Sequence, residues 1–289
     1  MGILSASAIL VTGCSSGIGY AAVQGLRQRG YRVFATARRF EDVQALGSEG
    51  FEALQLDLTS SASIESAVDE VLGRTGGELY ALFNNAGYGQ PGAVEDLSRD
   101  ALREQFETNL FGLHELTCRV LPVMRRKGYG RIVHNSSLLG FVALRYRGAY
   151  NASKFALEGL TDTLRLELAG SGIHVSLIEP GPVESRFRQN ALEAFLRHNP
   201  VDESIHASTY RAMIARLAKA GPAAPFTLPA ASILKPLLHA LESRRPRARY
   251  RLTVPAHAFW ALKRLLPTAL LDHVLARVSS EENRPPKGI

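Results

Sequence analysis

The chain predicts a doubly wound α/β domain: a mostly parallel sheet of about seven strands with helices on both faces. Three observations carry this. Short apolar runs alternate with stretches of helical apolar spacing from residue 8 to about residue 180. The first apolar run ends in a glycine-rich turn that opens a helix. The 289 residues are 46% apolar and 21% charged, enough for one hydrophobic core, and no repeat or low-complexity linker divides them. The expected unit is therefore one domain over 1–289, with disorder expected only at the last few residues.

Residues 8–12 (Ala-Ile-Leu-Val-Thr) read as a buried parallel strand. Ile18, Ala21, Ala22, Gly25 and Leu26 repeat at helical spacing over 18–29, and Gly30 stops that helix. Strands follow at 31–36 and 52–56 around a helix near 41–48. A helix at 61–72 leads to a strand at 79–83. Residues 101–124 keep helical periodicity, with interruptions expected near Gly112 and Pro122. A strand at 131–135, a long helix at 150–169 and a strand at 173–178 complete the rhythm, closed by Glu179-Pro180-Gly181-Pro182.

Beyond Pro182 the alternation breaks. Residues 183–220 read as helical, followed by a Pro/Ala-rich loop at 221–229, and about 183–229 is the expected substrate lid. A helix at 231–242 and an edge strand at 250–254 precede a helical tail at about 256–279, broken at Pro267. In the tail Phe259, Leu262 and Leu266 share one face, and Leu270, Val274 and Val278 another. Packing against the domain is the expectation, with weak peripheral membrane contact as the alternative.

The net charge is +7, but the basic residues are scattered, with small clusters at 125–127 and 244–251. No dense basic tract interleaved with aromatics exists, so no nucleic-acid role is expected. Cys14 and Cys118 are the two cysteines; they build neither a metal site nor a disulfide framework, and a reducing, cytoplasmic setting is expected. No leader pattern and no run of about 18 apolar residues is present, so neither a signal peptide nor a membrane-spanning helix is expected.

The first turn reads Thr12-Gly13-Cys14-Ser15-Ser16-Gly17-Ile18-Gly19. Glycine lets a pyrophosphate approach the main chain, and the helix behind it offers free N–H groups and a positive dipole end. The second strand ends in Arg38-Arg39. A carboxylate there would bind the adenosine ribose; two guanidinium groups suit a 2′-phosphate instead, which favours NADP(H). The third strand ends in Asp57-Leu58, where a carboxylate can accept from the adenine amino group. The fourth ends in Asn85-Ala86-Gly87, small enough to leave room for the adenosine side. Tyr150 and Lys154 fall one turn apart on one helix face. Ser137 lies just past the preceding strand, and Asn109 in an earlier helix. All map near the carboxyl ends of strands, where open α/β sheets bind ligands.

With these residues in this order, the chain resembles the short-chain dehydrogenase/reductase family over about 8–185. The motifs are Thr12-Gly13-x-x-x-Gly17-x-Gly19, Asn84-Asn85-Ala86-Gly87, Asn109, Ser137, Tyr150-x-x-x-Lys154 and Pro180-Gly181. It is similar to the branch holding retinol and hydroxysteroid dehydrogenases, and residues 262–267 resemble bacterial NADP-dependent aldehyde reductases. The resemblance implies a single Rossmann-type domain that reduces a carbonyl with NADP(H) and no metal. Tyr150 would act as general acid, and Ser137 would hydrogen-bond the carbonyl oxygen. Lys154 would hold the nicotinamide ribose and lower the phenol's pKa, while Asn109 would hold a water linking Lys154 to solvent. Pro180, Gly181, Val183 and Ser185 would sit at the nicotinamide.

Two positions depart from the family pattern. Ser16 stands where NADP users often carry a basic residue, and Ser185 where Thr is frequent. Leu138, Leu139, Val142, Leu144, Val183 and Phe187 are expected near the substrate, with Leu192, Phe195 and Leu196 in the lid. A medium- or long-chain aldehyde, a retinoid or a steroid suits them. The alternatives are an alcohol dehydrogenase running oxidatively and a non-catalytic NADP sensor. Family members commonly pair through helices corresponding to about 101–126 and 150–169, which implies a homodimer or homotetramer.

Overall fold

A computed structural model describes residues 7–219, 221 and 224–282; expectations for 1–6, 220, 222–223 and 283–289 lie outside the described residues. The strands are β1 (Ala8–Val11), β2 (Arg32–Ala37), β3 (Glu52–Gln55), β4 (Ala81–Asn84), β5 (Gly130–Asn135), β6 (Ile173–Glu179) and β7 (Arg249–Arg251). They form one sheet in the order β3-β2-β1-β4-β5-β6-β7, and every pairing is parallel. The chain runs outward from β1 to β3, then crosses back to β4 and runs outward to β7. Connections on the two sides of β1 and β4 therefore diverge, and a crevice opens beyond their carboxyl ends.

Strand periodicity splits the core in two. Ile9, Val11, Val33 and Ala35 point to one face, under α1 (Gly17–Gln28), α2 (Phe40–Ser48) and α9 (Leu234–Glu242), where Leu26, Leu46, Leu237 and Leu241 close the layer. Ala8, Leu10, Phe34 and Leu82 point to the other, under α3 (Ser61–Thr75), α5 (Gly112–Lys127) and the end of α6 (Gly148–Glu167). Each fully buried Leu or Phe contributes about 1.5–3 kcal/mol.

The structure revises several boundaries. The helical stretch over 101–124 resolves into α4 (Arg99–Phe106), a π-turn (Glu107–Phe111) and α5, so the break precedes Gly112. Pro122 makes no break: it sits exposed inside α5, so the carbonyl it fails to bond faces water. The expected helical stretch resolves, within 183–219, into two helices, α7 (Phe187–His198) and α8 (Ala207–Ala218), separated where Pro200 cannot extend the first. A 3-10 turn (Ala230–Ile233) precedes α9. β7 ends before residue 254 because the Thr253 hydroxyl accepts from Ala256 N (3.3 Å) and Pro255 opens α10 (Val254–Leu265).

The tail continues as α11 (Thr268–Glu282) and packs on the domain through Ala256, Phe259, Leu271 and Leu275. The buried stripe of α11 is thus one position off the expected one, and Leu270 is 54% exposed. The Ser279 hydroxyl accepts from Arg145 N (3.1 Å), which sets the rotation of the helix. Among the described residues no helix is long and apolar enough to cross a membrane.

Candidate active site

A cavity of about 650 Å³ opens at the carboxyl ends of β1, β4, β5 and β6, and its wall includes Ile18, Asn85, Gly87, Ser137, Tyr150, Lys154, Pro180, Gly181, Val183 and Ser185. At one end Ile18 brings the glycine turn up to it. Gly13 and Gly17 hold φ of +70° and +55°, where a side chain would be strained. A Cβ on Gly13 would stand 2.8 Å from Ala86 Cα, and one on Gly19 would collide with the Gly13 carbonyl oxygen. Ser15 and Ser16 are half-buried; Ser16 precedes α1 without making a side-chain cap, so it leaves the first N–H groups of that helix for another acceptor. A cradle that no Cβ can enter, at the head of an uncapped helix, fits a pyrophosphate. Gly19→Ala is expected to cost about 1–3 kcal/mol of stability by overpacking, measurable as a lowered denaturant midpoint.

Asn85 braces this turn. Its Nδ2 donates to Thr12 O (3.0 Å) and Gly13 O (3.1 Å), and its Oδ1 accepts from Asn135 Nδ2 (2.9 Å). The Thr12 hydroxyl accepts from Asn85 N and Ala86 N, both at 2.9 Å. The Asn85 side chain is thus spent on joining β1, β4 and β5. Arg38 and Arg39 stand exposed at the end of β2. Asp57 Oδ1 accepts from Thr59 N (2.9 Å) and Thr59 Oγ1 (2.8 Å), and the Leu58 side chain enters the core.

At the other end, the Ser137 hydroxyl accepts from Leu139 N (3.1 Å) and lies beside the Tyr150 phenol. Lys154, 4% exposed, donates from Nζ to Asn135 O (2.8 Å) and lies 5.8 Å from the Tyr150 ring centroid. Burial pushes the phenol up to about 12, against a smaller lowering by Ser137. In the protein alone, desolvation outweighs the lowering. Burial also brings Lys154 down to about 8, opposed by the Glu158 carboxylate one turn along.

Asn109 lies on the π-turn and is fully buried. Its Oδ1 accepts from Tyr88 N (3.1 Å), and its Nδ2 donates to Tyr88 O (2.9 Å) and Ser153 Oγ (3.2 Å). Both amide hydrogens are taken, so the side chain clamps the loop after β4 to α6 and leaves a water only the second lone pair of Oδ1.

Residues 7–194 match the family model for short chain dehydrogenases. The chain belongs to the short-chain dehydrogenase family. The dehydrogenase is 42% identical over 267 residues to the uncharacterized oxidoreductase YbbO of Escherichia coli K12, covering 92% of this chain and 93% of that one. It is 40% identical to the retinol dehydrogenase 8 of Bos taurus over 196 residues, covering 64% and 62%. A crystal structure of a short-chain dehydrogenase from Streptomyces avermitilis superposes with a TM-score of 0.74 at 31% identity, covering 96% of both chains.

The remaining wall of this dehydrogenase's cavity is apolar near Tyr150, where Leu138, Leu139, Leu144, Val183 and Phe187 line it. Phe187 meets the Tyr150 ring edge-on, with centroids 5.3 Å apart. The Ser185 hydroxyl is turned into its own loop, toward Val183 O and Phe187 N, and Val183 pairs with Leu228.

One expectation fails here. Val142 packs under Leu138 against the tail and lies outside the lining. Within the lid, Phe195 meets Tyr210 of α8 edge-on with centroids 5.0 Å apart and is fully buried, while Leu196 of α7 is 56% exposed. Leu192 is also outside the lining. Met213 and Leu217 of α8 line the cavity instead. Their spacing of one turn was a readable signal, masked by the single-helix reading of 183–220.

Proposed function

We propose that this dehydrogenase reduces a hydrophobic aldehyde or ketone to the alcohol with NADPH, with Tyr150 as general acid. The carrying observation is that Ser137, Tyr150 and Lys154 line one largely apolar cavity together with Asn85, Gly87 and Ile18, the residue between the second and third glycines of the turn. When bound, the nicotinamide supplies the hydride. Tyr150 gives its proton to the carbonyl oxygen, which gains charge as the carbon is reduced. Ser137 donates a hydrogen bond to the same oxygen. Lys154 holds the nicotinamide ribose and keeps a positive charge beside the phenol. Pro180, Gly181, Val183 and Ser185 would hold the nicotinamide, and the lid over 183–229 would exclude water. Gly13, Ser15, Ser16, Gly17, Ile18 and Gly19 would hold the pyrophosphate, and Asn85, Ala86, Gly87, Asp57 and Leu58 the adenosine.

Arg38, aided by Arg39 and Ser16, binds the 2′-phosphate in this reading. Losing a charge-assisted hydrogen bond costs about 1.5–3 kcal/mol. Arg38→Ala is therefore expected to raise KM for NADPH roughly 10- to 100-fold and leave that for NADH unchanged; equal effects would remove the role. The decisive assay is oxidation of NADPH and of NADH with a panel of aliphatic, retinoid and steroid carbonyls. Turnover of apolar carbonyls with NADPH supports the reading, and no turnover across the panel favours a cofactor-binding protein. Exposed Phe111, Phe155, Leu160 and Leu166 on α6 and beside α5 suit a homodimer or homotetramer, and two free thiols suit the cytoplasm.

A further inference from the structure

A second cluster of buried charge lies behind the cavity and takes no part in its lining. Glu179, the last residue of β6, is 1% exposed and directly precedes Pro180-Gly181. Arg249 Nε lies 3.0 Å from Glu179 Oε1, and Arg251 Nε lies 3.3 Å from Oε2. These two arginines sit two residues apart on β7, so both side chains leave the same face of the strand. Arg249 also reaches α6: its Nη2 is 3.1 Å from Glu158 Oε2 and 2.7 Å from Asp162 Oδ2. Glu158 is one turn beyond Lys154. One guanidinium thus joins the residue before the Pro180-Gly181 turn to the helix carrying Tyr150 and Lys154.

The brace continues into the tail. The Arg251 guanidinium lies 4.1 Å from the Trp260 ring centroid, and that of Arg264 lies 4.0 Å from the same ring. Thr253 presses on the turn itself: a Cβ on Gly181 would collide with the Thr253 hydroxyl. A buried ion pair is a poor source of stability compared with apolar packing of the same volume, and its best-attested use is to select one arrangement of the parts it joins.

We propose that Arg249, acting with Glu179 and Arg251, is a positioning residue for the reaction. It sets the Pro180-Gly181 turn against Tyr150 and Lys154, and Arg251, through Trp260, ties the C-terminal helices to that turn from behind the cavity. The inference rests on the nicotinamide reading above.

The test uses the full chain with Arg249→Met, Arg249→Lys and Glu179→Gln. NADPH affinity is read by energy transfer from Trp260, the sole tryptophan, beside kcat, KM and the unfolding midpoint. A misplaced reacting geometry can cost up to about 100-fold in rate. Arg249→Met is expected to lose about tenfold or more in both kcat and NADPH affinity, with KM for the carbonyl unchanged. Arg249→Lys keeps the charge but not the fork and should recover only part. Glu179→Gln keeps the shape, so it decides the matter if Arg249→Met does not fold; it is expected to lose NADPH affinity in the same direction. Folded variants that match the wild type in affinity and kcat overturn the inference alone. A wild type that does not bind NADPH overturns the functional reading and the inference with it.

Discussion

Tyr150→Phe is expected to lower kcat for carbonyl reduction by about 10²–10⁴-fold, the range over which a positioned general acid contributes. The change removes one oxygen and leaves the ring, whose edge contact with Phe187 persists. NADPH affinity should therefore stay close to that of the parent. What is lost is the proton: the developing oxyanion keeps only the Ser137 hydroxyl. The pH dependence follows from the phenol's raised pKa of about 12 in the protein alone. Below that value Tyr150 keeps its proton, so reduction has its acid throughout the neutral range. Oxidation of an alcohol needs the phenolate and should gain rate as pH rises. Single-turnover rates with a fluorescence titration of NADPH would check this, and reduction near the parent rate by the variant would remove Tyr150 from the chemistry.

The sheet was legible because each strand is a short apolar run bounded by turn residues, and burial on both faces leaves little other reading for stretches such as Ile9-Leu10-Val11. The reacting pair was legible because Tyr150 and Lys154 lie one turn apart, a relation fixed within one helix. What escaped depends on contacts between distant segments. The role of Asn85 as a brace needs Thr12 and Asn135 beside it. The clamp made by Asn109 needs Tyr88 and Ser153. Glu179 and Arg249 come together only because β7 lies against β6. The tail failed by one position for a related reason: α11 has apolar residues on neighbouring faces, and a hydrogen bond from Arg145 to Ser279 chooses between them.

Lys154→Met should lower NADPH affinity about 10- to 100-fold, the cost of removing a charged hydrogen bond, and kcat further. This separates it from Tyr150→Phe, which is expected to spare binding. Methionine has a similar length and tolerates the buried site, so folding should survive, although Asn135 O loses the ammonium that donates to it. The ammonium itself titrates within reach: burial sets it at about 8, with the Glu158 carboxylate holding it up. Below that value the charge beside the phenol is present, and above it the charge is lost. Wild-type reduction should therefore fall as pH passes about 8, and the limb should be absent in Lys154→Met. Glu179 is the competing group, since burial raises its carboxyl to about 7, with Glu158 adding to the rise. Its brace is ionised above that value, so a Glu179 limb would rise with pH where the Lys154 limb falls. A falling limb that survives Lys154→Met would place the titrating ammonium elsewhere, and the charge assigned to Lys154 beside the phenol would fall with it.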